Sequence, residues 1–137
     1  MDADEIKIRH LELVQSIVAR MAQNSFMLKG WSVTLVGVLL TLAPQKANLA
    51  VAILACVSAG VFWALDGYFL QQEKLFRALY NHLREHKTYD GGDFFRLDTI
   101  PHLADVESWL RVTLSRTLLL FHGAVSAATI TVIVVAR

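Results

Sequence analysis

Charge disappears from three stretches of this chain. Residues 47–65 (ANLAVAILACVSAGVFWAL) and 117–136 (TLLLFHGAVSAATITVIVVA) contain no Asp, Glu, Lys or Arg. Each approaches the ~20 residues that a helix needs to cross ~30 Å of hydrocarbon. A third uncharged stretch, 30–45 (GWSVTLVGVLLTLAPQ), is shorter. It reaches a full span if the helix begins near Ser25 and Lys29 snorkels to the interface. The pattern predicts an all-α membrane protein, with transmembrane helices at about 25–43, 47–70 and 117–136 of a single membrane domain covering 1–137.

Outside these runs the apolar residues keep helical spacing. Ile6, His10, Leu13, Val14, Ile17, Val18 and Met21 form one stripe, with no Pro or Gly between Asp4 and Lys29. Leu75, Phe76, Leu79, Tyr80 and Leu83 form another, supported by an i, i+4 pair of Glu73 and Arg77. The spans therefore extend into cytoplasmic helical regions at 4–24 and 71–116. Asp90-Gly91-Gly92-Asp93 reads as a turn. The third helix is expected to restart near 101–104, behind Asp98 or Thr99 as cap and Pro101 in its first turn, and to run to the C-terminus. Each helix would then measure roughly 50–60 Å.

Composition agrees, with 55% hydrophobic residues and a mean hydropathy of +0.45. Net charge is only +1, but its distribution is lopsided. Eleven of the 13 Lys and Arg precede the first span or lie between the second and third. Lys46 and Arg137 are the exceptions. The positive-inside rule then predicts a multi-pass protein of the bacterial inner membrane, N-terminus cytoplasmic and C-terminus periplasmic. Asp2, Asp4 and Glu5 are not the basic start of a secretory signal. Trp31, Trp63 and Trp109 fall near span ends, as an interfacial belt requires. Cys56 stands alone inside the second span and reads as a small packing residue.

Asp66 is the most informative position. An unpaired Asp inside a span costs ~2.5–3.5 kcal/mol on insertion scales, so it should face the bundle interior and find a base. Lys29, His122 and Arg116 lie at matching depth. Two readings stand side by side: a buried ion pair that fixes helix register, or a ring of carboxylates at the inner mouth of a cation pathway. Thr34 and Thr41 share a face of the first span with Gly37, and could line a pore or bond back to their own helix. The pore or gate candidates are thus Asp66, Thr34, Thr41, His122 and Lys29. Gly37, Gly60 and Gly123 offer close approach between helices, within one subunit or between subunits of a homo-oligomer, a tetramer as the simplest guess.

Lys74, Arg77, Asn81 and Arg84 recur at i, i+3, i+7 and i+10 along one helix face. Arg20, Arg111 and Arg116 approach the membrane on neighbouring segments. Such cations attract anionic lipid. They also suit a phosphate-rich ligand, with aromatic residues nearby to stack on bases. Arg20, Lys74, Arg77, Arg84, Arg111 and Arg116 are the ligand-binding candidates. Catalytic signatures, phosphate-binding loops and cofactor motifs are missing from the sequence, so the expectation is a non-enzyme without cofactor. His82 and His86 are spaced i, i+4, but Leu83, Arg84 and Glu85 between them do not make a zincin motif, and no metal is expected.

Two segments carry a resemblance: Asn24-Ser25-Phe26-Met27-Leu28-Lys29-Gly30-Trp31-Ser32-Val33-Thr34-Leu35-Val36, and the run from Phe62-Trp63-Ala64-Leu65-Asp66-Gly67-Tyr68-Phe69-Leu70 to Gln71-Gln72-Glu73-Lys74-Leu75-Phe76-Arg77. They resemble the small bacterial inner-membrane channel effectors of Hailong-type antiphage nucleotide signalling. The match covers the first two spans and their flanks, and the C-terminal third only loosely. The resemblance implies an oligomeric channel controlled by an oligonucleotide that a partner nucleotidyltransferase makes. The rival reading is a non-catalytic membrane scaffold or anchor that recruits a cytoplasmic partner through residues 71–116.

Overall fold

The computed structural model describes residues 2–42, 49–86 and 95–135. It is helical throughout, with no strand among the described residues. α1 runs unbroken from Ala3 to Leu42 and α2 from Leu49 to Glu85. At 1.5 Å per residue they are about 60 and 55 Å long. Gly30 does not interrupt α1. The expected turn between them, and the Asp90–Asp93 turn, lie outside the described residues.

α1 and α2 form an antiparallel hairpin whose register can be read from its ties. Ser25 bonds Asp66 in the middle. Near the far end the Lys7 ammonium donates to the carbonyls of Arg84 (3.2 Å) and His86 (2.8 Å), closing the last turn of α2. In this polar half, His10, Val14 and Val18 of α1 are buried, as are Leu75 and Leu79 of α2. These are the i, i+4, i+8 members of the expected stripes. His10 does more than fill space: its Nε2 meets the carbonyl of Arg96 at 2.9 Å and holds the segment after α2 against α1.

The third helix departs from expectation. It is broken into a 3₁₀ turn (Ile100–His102), a five-residue helix α3 (Trp109–Thr113) and α4 (Arg116–Val135). The expected cap is partly realised, since Asp98 Oδ1 accepts the Ile100 N–H at 3.0 Å, while the Thr99 side chain caps nothing. No Pro or Gly marks the later breaks. Ties to α2 cause them. Gln71 bonds the Glu107 carbonyl (3.3 Å) and Lys74 its carboxylate (3.2 Å). The Trp109 indole N–H reaches the Ala64 carbonyl (3.2 Å), and the Trp63 indole N–H reaches the Thr113 carbonyl (2.8 Å). Two reciprocal indole bonds thus clamp α3 across α2, and the chain turns through Leu114 and Ser115 before α4 starts.

Gly67 makes the clamp possible. A Cβ there would collide with the Thr113 side chain and stand 3.1 Å from its Cα. Beyond the clamp α4 meets both long helices at one level, with His122 on Asp66 of α2 and Phe121 near Lys29 of α1.

α1, α2 and α4 are each long and apolar enough to cross a membrane. Only about a fifth of each apolar window is buried inside the protein, 22%, 17% and 17% in turn. The remaining apolar surface suits lipid rather than water.

Gly67→Ala should force α3 off α2, at the 1–3 kcal/mol typical of overpacking, or about that much. Gly30→Ala, where an added Cβ meets open space, should be close to neutral. Thermal unfolding in detergent, followed by tryptophan fluorescence, separates the two; equal effects would show that the Gly67–Thr113 contact is not tight.

Candidate functional site

Asp66 sits where α1, α2 and α4 meet, with 0% of its surface exposed. Three side chains from the two other helices close on its carboxylate. The Lys29 ammonium lies 2.6 Å from Oδ2. His122 Nε2 lies 2.8 Å from the same oxygen. The Ser25 hydroxyl donates to Oδ1 and accepts from Lys29 Nζ at 2.9 Å. Ser25 and Lys29 are one turn apart on α1, so a single helix face delivers both.

One carboxylate faces one ammonium, and the Nδ1 of His122 is buried without a hydrogen-bond partner among the described residues. Its face stacks on Trp63, with ring centroids 5.9 Å apart and planes 10° from parallel. Trp63 therefore joins the ion cluster to the α3 clamp.

Lys29, one of the bases expected for Asp66, turns inward to it and keeps 26% of its side chain exposed. Arg116, the third candidate base, is exposed and has no ion pair with any described residue. Of the expected belt, Trp31 is exposed on the outside but Trp63 points inward. Thr34 and Thr41 are exposed and donate to their own helix, at the carbonyls of Gly30 (2.9 Å) and Val38 (2.7 Å). The sequence thus placed Asp66, Lys29 and His122 together, and it missed Ser25, whose only signal was its one-turn offset from Lys29.

A short polar column surrounds the cluster. Ser32 of α1 is fully buried and Thr129 of α4 nearly so. Further toward residues 43–48 the buried positions are Val36, Leu39, Ala55 and Ala59. Polar lining therefore reaches only partway along the apolar half of one chain.

The basic candidates divide into two groups. On α2, Arg77 is held by Glu73 (2.8 Å), Lys74 by Glu107 (3.2 Å), and Arg84 lies 3.7 Å from Glu85. All three cations are exposed; Glu107 and Glu85 are exposed as well, whereas Glu73 keeps only 13% of its side chain exposed. Arg20, Arg111 and Arg116 are exposed and have no ion pair among the described residues. His82 and His86 rings lie 4.0 Å apart, with His102 5.1 Å from His82, yet no set of three or more potential ligands among the described residues is arranged to hold a metal ion.

No family model, curated protein or solved structure matches the chain.

Asp66→Asn should cost about 3–5 kcal/mol, because it strands the Lys29 charge. Adding Lys29→Met should recover most of that loss. Unfolding in mixed micelles measures both; a single variant as stable as the parent would mean that Asp66 and Lys29 are not an ion pair.

Proposed function

We propose that the chain is the subunit of a homo-oligomeric ion channel or membrane-permeabilising effector of the bacterial inner membrane, with Asp66, Lys29, Ser25 and His122 latching its resting state. The single observation behind this reading is a complete buried ion cluster tying three membrane-length helices together at one depth. Ionisable residues inside spans are costly and by default mark function. Here every charge is satisfied within one chain, so Asp66 lines no pore in this conformation. The polar column also ends in Val36 and Leu39. Conduction would therefore run between subunits, after the latch rearranges, rather than through one three-helix unit.

Gly37, Gly60 and Gly123 support an oligomer, since each faces open space within the chain. They leave faces on all three spans where a second copy can approach closely. The orientation consistent with the charge bias places the N-terminus and the α1–α2 polar half in the cytoplasm. There Lys74, Arg77 and Arg84, with Arg20 beside them, would receive a phosphate-rich ligand such as an oligonucleotide. The carboxylates that hold Lys74 and Arg84 are exposed, and such pairs are worth only about 0–1 kcal/mol, so phosphate can replace them cheaply. Because α1 and α2 pass without a break from this region into the spans, a change in crown packing reaches Asp66 directly.

A specific feature favours the rival reading of an anchor. An open, mostly apolar groove of about 510 Å³ lies along α1, lined by Ile8, Leu11, Gln15, Ala19 and Tyr80 among others. A soluble partner helix could dock there. Reconstitution in dye-loaded liposomes decides between the two. The channel reading expects ion flux that rises with an oligonucleotide ligand, and loss of that response in Arg77→Glu with Arg84→Glu. Flux that is absent under all conditions, with a cytoplasmic protein retained on the groove, would establish the anchor. A reporter fused after Arg137 should be active only on the periplasmic side.

A further inference from the structure

Arg111 and Arg116 are, with Arg20, exposed cations that have no ion pair among the described residues. They flank the elbow between α3 and α4, and their setting differs from that of the α2 stripe. The elbow is fixed in depth. Thr113 lies against Gly67, and Val112 and Thr113 are buried beneath it. The two indole bonds of Trp63 and Trp109 prevent it from swinging away. That depth is the edge of the apolar band by two independent markers. The charge-free run of α2 ends at Leu65, just before Asp66 and Gly67. The charge-free run of α4 begins at Thr117, directly after Arg116.

The elbow's outer surface is amphipathic in a way that water alone does not explain. Leu110 is 60% exposed, Leu114 55% and Trp109 41%. Leu110 and Leu114 are one turn apart; Arg111 directly follows the first, Arg116 comes two residues after the second, and both arginines are exposed. Apolar side chains flanked by arginines at the rim of a span match the acyl-to-phosphate boundary of a leaflet. A zwitterionic headgroup brings its own cation and gains little there, whereas a net negative one complements both arginines, which can grip its phosphate through paired N–H bonds.

We propose that the α3–α4 elbow binds the headgroup of an anionic phospholipid in the leaflet at the polar end of the bundle, with Arg111 and Arg116 on the phosphate and Leu110, Leu114 and Trp109 against the chains. The site is independent of whether the assembly conducts. It assigns these two arginines to lipid rather than to the soluble ligand of the α2 stripe.

The test uses the full-length protein in micelles of neutral detergent, titrated with phosphatidylglycerol or phosphatidylcholine and read by native mass spectrometry. Phosphatidylglycerol should bind in preference. Arg111→Gln with Arg116→Gln should erase that preference, at about fivefold per arginine, while Arg77→Gln with Arg84→Gln leaves it intact. Inorganic phosphate at millimolar concentration should not displace the lipid. Equal binding of the two lipids by the parent protein overturns the proposal before any variant is made. So does preference retained in the elbow variant, or lost equally in the α2 variant. Displacement by free phosphate would make this an anion site, not a lipid site. A fall in subunit number in the elbow variant would assign the face to a second copy.

Discussion

A carboxylate with none of its surface exposed must be answered by charge and hydrogen bonds, and the architecture of this chain follows from how Asp66 is answered. Ser25 and Lys29 must stand on the facing side of α1, which sets the rotation of that helix and its slide along α2. His122 must arrive from α4 at the same height. Apolar packing alone would not impose this. In lipid, one greasy face is nearly equivalent to another, and helices of similar length can slip past each other at little cost. One buried ion cluster removes that freedom, because a slip of a single residue would strand a charge.

The same level recurs in every part of the chain. Lys29 is the last charged residue before the apolar run of α1, Asp66 the first after that of α2, and Arg116 the last before that of α4. The edges of three apolar runs therefore coincide in space with the cluster and with the elbow of α3. The buried carboxylate and its partners lie in this layer. Elsewhere in the apolar half the buried residues include Val36, Leu39, Ala55, Ala59 and Thr129; in the polar half the hairpin is packed by His10, Val14, Val18, Leu75 and Leu79.

How readable these features are from sequence depends on their range. The two long helices are written in local periodicity, and His10, Val14 and Val18 fall inside as their spacing requires. The ion cluster could be inferred because burying a charge is so costly that Asp66 needed a base, and only a few bases lay at its depth. The break in the third helix could not. Nothing at Glu107, Ser108 or Leu114 stops a helix locally, and the agents are Gln71, Trp63 and Ala64, some forty residues away. Gly67 carries no local signal, and its purpose shows only when Thr113 is set against it. Lys29 was legible for the same reason as Asp66: it stands at the edge of its apolar run, where the carboxylate needs a base.

Energies rank the parts of the proposed switch. Surface pairs such as Lys74–Glu107 exchange for about 1 kcal/mol or less. Breaking the Asp66 cluster costs several times more. A ligand that merely replaces Glu73 at Arg77 in both conformations would shift nothing, however tightly it bound. Turning a population from 1:99 to 99:1 takes about 5.5 kcal/mol of differential affinity. Hydrogen bonds to charged groups contribute about 1.5–3 kcal/mol each, so one exposed arginine is insufficient. Several cations, from more than one helix or more than one subunit, must converge on the phosphates in the open state alone. The stripe of Lys74, Arg77 and Arg84 lies on one face of one helix, so a decisive ligand has to draw in Arg20 of α1 or the same stripe on a neighbouring copy. In the proposed channel, a ligand held by the α2 stripe alone would therefore leave the latch closed, and one that also engages Arg20 or a neighbouring copy could open it.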